Sequence, residues 1–241
     1  MKKILSYLFN IVFPPRCLYC GKIISSPNSI CEECFEKISF ISAPYCQICG
    51  IPFEVEKQTP KNLICPSCAA HKRLTRLNRS AIVYDDFSKN GILSFKFHDK
   101  LAFSKLFTKW LKLSGKDIFE QGVDLIIPVP LSYRRLLRRR YNQAAILAKE
   151  LSELTGIKTD LMILKRIKHT KAQSLLSHHV RLKNVRNAFE VSKPQNIKGK
   201  RILLIDDVMT TGATLCECAK VLIKAGAESV DTLTVARTLR E

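Results

Sequence analysis

The chain has 241 residues, of which 46% are hydrophobic, so it can bury a sizeable core as one large domain or as a core domain with an appendage. Lysine and arginine number 40 against 21 aspartate and glutamate residues, which gives a net charge of +19. This excess favours a polyanionic partner (nucleic acid, an anionic membrane surface or a highly phosphorylated ligand), whereas its plain alternative is a solvated basic surface.

The first 13 residues carry two lysines and then an apolar stretch, and so superficially look like a signal peptide. Pro14 and Pro15 follow without a small-residue cleavage site, and the stretch is too short to cross a bilayer. We therefore expect a cytoplasmic protein without a membrane span, in which this stretch forms a short docked helix. The side chains that this helix would bury are Ile4, Leu5, Leu8, Ile11 and Val12.

Eight of the ten cysteines form four Cys-x-x-Cys pairs before residue 70. The pairs are Cys17/Cys20, Cys31/Cys34, Cys46/Cys49 and Cys65/Cys68. In a reducing compartment such pairs indicate zinc knuckles rather than disulfides, and two knuckles complete one tetrahedral site. The sequence therefore predicts two closed, structural zinc sites, with Gly21 and Gly50 in the left-handed conformation after their knuckles. Sequential pairing of the knuckles is the simplest grouping, and a cross-braced arrangement, redox-active dithiols or an iron–sulfur site are the alternatives.

Strand and helix patterns alternate after the cysteines. A basic linker near residues 69–78 separates a predicted zinc module at 1–72 from a second domain at 73–241. The pattern predicts strands at 80–84, 125–130, 201–207 and 230–236, and helices at 89–97, 103–113 and 142–155. Cys216 and Cys218 fall on a further helix, where they should point to different faces. Such alternation predicts an α/β domain whose mainly parallel sheet is covered by helices.

The most informative segment is 201–214, in which an apolar run ends in Asp206 and Asp207 and a Thr-Thr-Gly-Ala-Thr turn leads into a helix. Parallel-sheet proteins hold a sugar phosphate at the end of a strand in this way. The carboxylates can take vicinal ribose hydroxyls, and the turn offers N–H groups and hydroxyls to a phosphate. The plain reading is a buried strand followed by an ordinary capped helix.

Two basic segments accompany this motif. The segment 130–143 follows a predicted strand, so its arginines face the same crevice and can bind a pyrophosphate or a nucleic-acid backbone. Its alternative is a solvated basic helix start. The segment 165–181 is interpreted either as a mobile lid that closes over the ligand or as a surface loop, and its histidines as solvent-exposed or bonded to the backbone.

The segment 201–214 resembles the phosphoribosyl-pyrophosphate motif of type I phosphoribosyltransferases. The chain as a whole resembles the ComF family of competence-related, phosphoribosyltransferase-like proteins. The other matching pieces are Phe13-Pro14-Pro15-x-Cys17-x-x-Cys20, Cys49-Gly50-x-Pro52, Leu93-x-x-Lys96, Val129-Pro130-Leu131, Arg139-x-Tyr141-Asn142-Gln143-Ala144, Thr170-x-x-Gln173, Arg181-x-x-Asn184 and Ala188-Phe189. One departure is that the family usually has Gly and Phe where this chain has Arg140 and Tyr141. Arginine is costly there if the backbone has a positive φ.

The resemblance implies an N-terminal double zinc ribbon fused to a type I phosphoribosyltransferase (Rossmann-like) fold, with phosphoribosyl pyrophosphate and Mg²⁺ as ligands and zinc as a structural cofactor. It also implies cytoplasmic handling of single-stranded DNA during natural transformation or DNA utilisation, with a DNA-uptake helicase or other competence proteins as partners. Asp206 and Asp207 are the candidate catalytic residues. The candidate phosphoribosyl-pyrophosphate residues are Val208, Met209, Thr210, Thr211, Gly212, Ala213 and Thr214, with Ser132, Arg134 and Arg135. The candidate nucleic-acid contacts are Arg138, Arg139, Arg140, Lys168 and Lys171.

Three functional hypotheses follow from these assignments. In the first, the chain is an enzyme that transfers a phosphoribosyl group, although no general base and no acceptor are recognisable. In the second, it is a non-catalytic nucleic-acid adaptor whose pocket is sensory or vestigial, and whose basic loops and zinc ribbons follow a single strand. In the third, it is a zinc-dependent protein-docking module.

Overall fold

The computed structural model describes residues 13–53, 60, 62–71, 73–97, 100–168 and 185–239. The predicted N-terminal helix and most of the predicted lid, with Lys171 and the three histidines, lie outside the described residues. Among the residues described, no helix combines the length and the apolar character needed to cross a membrane.

The main sheet has four parallel strands, and six strands are described in all. They are β1 (Asn78–Val83), β2 (Leu125–Pro128), β3 (Leu164–Arg166), β4 (Phe189–Val191), β5 (Arg201–Met209) and β6 (Ser229–Arg237). The order in the main sheet is β1-β6-β5-β2, while β3 and β4 form a separate antiparallel pair. Residues 202–205 of β5 are fully buried because β2 and β6 flank this strand and helices cover both faces. This arrangement confirms the predicted α/β class.

Eight α-helices are described, three of them on one face of the main sheet. They are α1 (Glu32–Glu36), α2 (Pro66–Ala70), α3 (Asp86–Phe97), α4 (Ala102–Ser114), α5 (Lys116–Glu120), α6 (Tyr133–Arg139), α7 (Gln143–Thr155) and α8 (Ala213–Lys224). Phe95 of α3, Phe107 of α4 and Leu147 of α7 join one hydrophobic core with the sheet. Leu222 of α8 and Phe189 of β4 belong to the core of the opposite face.

The cysteine-rich segment packs against the open edge of the sheet. The N–H of Val83 donates to the carbonyl of Ser39 at 2.8 Å, and the N–H of Ile41 donates to that of Ala81 at 2.9 Å. These bonds add a short antiparallel stretch to β1 and so cover an edge that would otherwise expose unpaired backbone groups. Gly50 lies so close to β1 that an added Cβ would come within 2.4 Å of a backbone oxygen.

The strand and helix predictions for the main sheet are correct to within a few residues. Gly156 ends α7 in the left-handed conformation with φ of 75°, and Gly21 and Gly50 are also left-handed, as predicted. Cys218 is buried and Cys216 is exposed, which agrees with their placement on different faces of α8. The pair β3–β4 was not predicted, because strands of three residues are too short to show a periodic pattern.

Candidate functional site

Asp206 and Asp207 lie in β5 at the carboxyl edge of the sheet, where ligands bind in open parallel sheets. A carboxylate oxygen of Asp207 forms an ion pair with Nζ of Lys96 at 2.8 Å, and both side chains are about 15% exposed or less. The backbone N–H of Asp207 donates to Oδ1 of Asp206 at 2.8 Å, which orients the Asp206 carboxylate. The acid pair predicted from the sequence is therefore accompanied by a lysine from α3, which is bonded to the second acid.

The last turn of α3, which carries Lys96, is held by the segment that precedes α7. The hydroxyl of Tyr141 donates to the carbonyl of Phe95 at 2.8 Å, and Nε2 of Gln143 donates to the carbonyl of Lys96 at 3.2 Å. Asn142 donates to the carbonyl of Val129 at 3.0 Å and caps α7 by accepting from a backbone N–H. Tyr141 and Gln143 thus hold the end of α3, and with it Lys96, by hydrogen bonds to the backbone of α3.

Arg139 points inward from the end of α6. Its guanidinium donates to Oε1 of Gln143 at 3.2 Å and stacks over the ring of Phe97 at 4.8 Å from the centroid. Arg140, the next residue, has φ of 65°, so the left-handed conformation that favours glycine at this position is adopted by arginine. The cost expected for arginine at a positive φ therefore applies to this turn as it is folded.

Two effects raise the pKa of Asp206 to about 7. The larger is the removal of its carboxylate from water, and the second is the negative charge of Asp207. The positive charges of Lys96 and Arg139 act in the opposite direction. Arg166 of β3 is also within electrostatic reach of Asp206. The pocket therefore combines two carboxyl groups with three basic side chains.

The turn after β5 opens directly into α8. Gly212 has φ of 73°, and α8 begins at Ala213, whose N–H donates to Oγ1 of Thr211 at 3.3 Å. The first turn of a helix presents backbone N–H groups and a positive partial charge, which together attract an anion. Thr238 holds the other side of the turn, since its N–H donates to the carbonyl of Met209 at 3.0 Å.

The basic segment after β2 forms α6 rather than an irregular loop. Ser132 is buried at its N-terminus, Arg134 is exposed, and Arg135 is partly buried. Arg166 lies close enough to Arg135 for the two charges to repel: burial, and then the charge of Arg135, lowers the pKa of Arg166. α6 thus brings a second group of basic residues to the carboxyl edge.

The candidate nucleic-acid residues lie in different surroundings. Arg139 is engaged with Gln143 and Phe97, whereas Arg140 is exposed. Lys168 is exposed and donates to the carbonyl of Arg186 at 3.3 Å. Arg138 lies in α6, but its side chain lies outside what the structure describes.

The eight knuckle cysteines form two groups of four in the sequential arrangement. The groups are Cys17, Cys20, Cys31 and Cys34, and Cys46, Cys49, Cys65 and Cys68. Within each group the four Sγ atoms lie within 4.8 Å of one another, and Sγ pairs are 3.6 Å and 3.7 Å apart in the two groups. A tetrahedral zinc ion with Zn–S bonds of ~2.3 Å requires sulfur atoms about 3.8 Å apart. Both groups therefore fit zinc with four thiolate ligands, and neither leaves an open position.

The two zinc sites repeat one pattern of hydrogen bonds. In each, the N–H of the third cysteine donates to Sγ of the first, from Cys31 to Cys17 at 3.3 Å and from Cys65 to Cys46 at 3.4 Å. Only the second site also receives a guanidinium hydrogen bond to a thiolate among the described residues, from Arg73 to Sγ of Cys68 at 3.0 Å. Such a bond offsets the charge of a zinc ion bound to four thiolates.

Comparison with known proteins agrees with both parts of this description. The double zinc ribbon domain family matches residues 8–69, and the phosphoribosyl transferase domain family matches residues 138–240. Competence protein F of Haemophilus influenzae is 34% identical over 230 residues, which cover 92% of this chain and 96% of that protein. The chain belongs to the ComF family. Another relative, DNA utilization protein YhgH of Escherichia coli K12, is 37% identical over 234 residues, covering 95% of this chain and all of that protein.

The solved structures similar to this ComF-family chain include phosphoribosyl-pyrophosphate enzymes. Glutamine phosphoribosylpyrophosphate amidotransferase from B. subtilis is 19% identical, with a TM-score of 0.40, and the match covers 59% of this chain and 30% of that chain. This chain thus spans less than a third of that enzyme's length.

Three residues of the pocket, Lys96, Gln143 and Arg166, have no role that the sequence alone assigns. Lys96 and Gln143 stand out in the sequence only as matches to the ComF family, and Arg166 only as part of a basic segment. Their roles depend on contacts between elements that lie far apart in the chain, as in the ion pair between Lys96 and Asp207. The single available signal was the presence of Leu93-x-x-Lys96 and Gln143 among the family motifs.

Proposed function

We propose that this ComF-family protein binds phosphoribosyl pyrophosphate together with Mg²⁺ at the carboxyl edge of its sheet. The observation that carries the proposal is that Asp206, Asp207 and the turn at the start of α8 lie at one edge of the sheet, with basic side chains from other elements close to the acid pair. Phosphoribosyl pyrophosphate has one group for each of these features: vicinal ribose hydroxyls for the acid pair, a 5′-phosphate for the turn, and a pyrophosphate for the basic side chains.

The carboxyl groups are suited to the ribose. Asp206 and Asp207 accept hydrogen bonds from O2′ and O3′, since an ionised carboxylate has only acceptors to offer. Asp207 is already paired with Lys96. When the ribose binds, Asp207 either keeps this ion pair and accepts a second hydrogen bond, or exchanges the lysine for a ribose hydroxyl. If the ribose hydroxyl replaces Lys96 as the partner of Asp207, the ammonium of Lys96 becomes available to the pyrophosphate.

The residues Thr210 to Thr214 are suited to the 5′-phosphate. The left-handed Gly212 lets the chain turn from β5 into α8, and an added Cβ there would come within 4 Å only of Met209 Sδ. The phosphate receives N–H groups from the first turn of α8 and hydroxyls from the threonines. Its charge is favourable at this end of the helix.

The pyrophosphate is assigned to the basic residues around α6 and β3. Arg134, Arg135 and Arg166, with Lys96, supply the positive charge that a pyrophosphate needs. Mg²⁺ would enter together with the phosphates and would offset the remaining negative charge. Arginine is suited to this role because its planar guanidinium binds phosphate oxygens in pairs.

The same site suits either transfer of the phosphoribosyl group to an acceptor or binding of the ligand without reaction. In transfer, the bond from C1′ to the pyrophosphate oxygen breaks with its electron pair on the leaving group, and an acceptor nucleophile forms the new bond to C1′. The two carboxylates stabilise the positive charge that develops on the ribose. In the second candidate function, a non-catalytic adaptor or docking module, the same contacts hold the ligand as a signal.

The cellular setting that we propose is cytoplasmic handling of single-stranded DNA. The support comes from the relatives, whose names are competence protein and DNA utilization protein. The net charge of +19 supports a polyanionic partner.

Thermal unfolding with and without phosphoribosyl pyrophosphate and Mg²⁺ tests the pocket. We expect the ligand to raise the melting temperature of the wild type, and the Asp206→Asn/Asp207→Asn variant to lose most of this increase. Asp86→Asn, which removes an exposed carboxylate at the start of α3, is the control and should keep it. A wild type that gains no stability from the ligand would rule out the proposed site. Release of pyrophosphate on addition of candidate acceptors then separates transfer from binding.

A further inference from the structure

Helix α4 presents one face of lysines to solvent. Lys105, Lys109 and Lys112 are exposed, and with Lys116 at the start of α5 they follow a spacing of four, three and four residues. Positions three and four apart lie on the same side of a helix, so the three lysines of α4 form one stripe about 10 Å long, and Lys116 follows it beyond the break at Gly115. We call these four lysines the lysine face.

The lysine face has few compensating acids. Residues 101–116 contain no aspartate or glutamate, and among the described residues neither Lys105 nor Lys109 forms an ion pair. Lys116 has a distant pair with Glu120 at 3.8 Å. Glu150 of α7 faces α4 but accepts hydrogen bonds from Ser104 and Thr108. Like charges at four-residue spacing destabilise a helix slightly, so a solvated helix usually mixes both signs.

Exposed apolar and aromatic side chains flank the lysine face. Leu113 of α4 is 75% exposed, and the ring of Phe40 packs on Trp110 of the same helix at 5.1 Å. Phe35, which is 52% exposed, lies against Phe40 at 5.0 Å. Large exposed rings beside a basic stripe are the two components of a surface that binds a single strand: charge for the backbone and π-faces for the bases.

A cleft opens where the lysine face ends. It has a volume of roughly 340 Å³ and is lined by Leu113 and Lys116 on one side and by Ser42 and Tyr45 on the other. Asp117, beside Lys116, binds Arg79 near the start of β1, so this end lies at the amino edge of the sheet. The surface is therefore separate from the pocket of Asp206 at the carboxyl edge.

We propose that the lysine face and its aromatic flank bind the backbone and bases of single-stranded nucleic acid. The inference rests on the DNA-handling part of the proposed function and names the surface that performs it. A double helix would use the lysines but would leave the rings of Phe35 and Phe40 without a base to stack on, whereas a single strand uses both.

The test is the affinity of the full chain for a fluorescent oligothymidylate of about 20 nucleotides, measured by anisotropy over a range of salt concentrations. The variant Lys105→Gln/Lys109→Gln/Lys112→Gln/Lys116→Gln removes the lysine face and keeps good helix formers. The control Lys193→Gln/Lys198→Gln/Lys220→Gln/Lys224→Gln removes the same charge from exposed lysines elsewhere, two of them on α8. Circular dichroism and the melting-temperature shift with phosphoribosyl pyrophosphate show that each variant is folded.

We expect the lysine-face variant to bind at least tenfold more weakly at 0.1 M salt, and its slope of log affinity against log salt to be shallower by about 2 to 3, because each lost phosphate contact contributes about 0.7 for a single strand. The control should change affinity less than threefold. Phe35→Ala should weaken binding about fivefold or more with the salt slope unchanged, because it removes stacking and no charge.

Three results would overturn the inference, and they separate it from the proposed function. A wild type that binds the oligonucleotide while both quadruple variants lose affinity equally shows that only net charge matters. A wild type that binds while the lysine-face variant is unchanged places the strand elsewhere. A wild type without measurable affinity removes the DNA-handling function and this surface together.

Discussion

Arg237, at the end of β6, donates a hydrogen bond from its guanidinium to the backbone carbonyl of Cys49 in the second zinc site. The next residue, Thr238, bonds through its N–H to the carbonyl of Met209 and through its hydroxyl to the carbonyl of Thr210. Two consecutive residues therefore contact the second zinc site and the turn between β5 and α8. The second zinc site is therefore linked structurally to the region of Asp206 and Asp207, although none of its cysteines lies there.

Replacing Arg237 by methionine should weaken both ends of this connection. The carbonyl of Cys49 would lose a buried hydrogen bond to a charged group, so we expect the free energy of unfolding to fall by about 2 kcal/mol. We also expect a smaller increase in melting temperature with phosphoribosyl pyrophosphate and Mg²⁺. Urea denaturation and thermal unfolding measure the two effects.

The first zinc site offers a matched control for this variant. Arg16 donates to the carbonyl of Gly21 at 3.1 Å in an exposed position. Arg16→Met should therefore cost less than about 0.5 kcal/mol and leave the ligand effect unchanged. Equal effects of the two substitutions would contradict the proposed connection.

Removal of either zinc ion should distinguish the two sites in the same way. Elemental analysis should give two zinc ions per chain for the wild type and one for both Cys17→Ser and Cys46→Ser, because each site needs all four thiolates to hold its metal. We expect Cys46→Ser to diminish the ligand-induced stabilisation more than Cys17→Ser, since Arg237 contacts only the second site among the described residues. Two zinc ions retained in either variant would contradict the assignment of its ligands.

The sequence predicted those parts of the molecule whose signal is local. The four knuckles, the buried run of β5, the acid pair and the turn from β5 into α8 are each contained within about a dozen residues. Lys96 was missed because its role depends on α3 crossing the edge of the sheet to reach Asp207. The inward orientation of Arg139 was likewise unpredictable, since a run of arginines does not show which one packs against Phe97.

Lys96 is expected to contribute to stability and to ligand binding. Lys96→Met leaves the partly buried carboxylate of Asp207 without its cation, so we expect a loss of about 2 kcal/mol in the free energy of unfolding. Lys96→Arg keeps the charge and should recover part of the stability. If Lys96 also contacts the pyrophosphate, Lys96→Met should lower the affinity for phosphoribosyl pyrophosphate, as measured by calorimetric titration.

Tyr141→Phe tests the positioning of Lys96 without touching its charge. The substitution removes only the hydroxyl that donates to the carbonyl of Phe95. We expect a loss of about 1 kcal/mol in stability and a reduced affinity for the ligand. An unchanged affinity, with stability lowered, would show that the hydrogen bond serves the fold alone.

The raised pKa of Asp206 predicts a pH dependence of stability with a definite sign. Its carboxyl group titrates near 3.8 in the unfolded chain and at about 7 in the folded one, so the folded state binds the proton more tightly. Stability from this group is therefore complete below about pH 4 and is lost as the pH rises to about 7. Asp206→Asn cannot ionise and should be more stable than the wild type at pH 8, by up to about 4 kcal/mol.

Urea denaturation of both proteins at several pH values between 5 and 8 measures this effect. The difference between them should grow across the interval, and taking the difference cancels the pH dependence of the zinc sites common to both. A constant difference would show that Asp206 is ionised throughout this interval.

Arg140 provides the last prediction, because it occupies a left-handed position with φ of 65°. A residue with a Cβ is destabilised by roughly 1–2 kcal/mol in this conformation. Glycine avoids this strain, but it loses more conformational entropy on folding, which cancels part of the stabilisation. Arg140→Gly should therefore stabilise the protein by about 1 kcal/mol in urea denaturation. Arg140→Ala removes the same side chain but keeps the Cβ, and so should not stabilise it. If alanine stabilised the protein as much as glycine, the cost would lie in the arginine side chain rather than in the backbone of the turn.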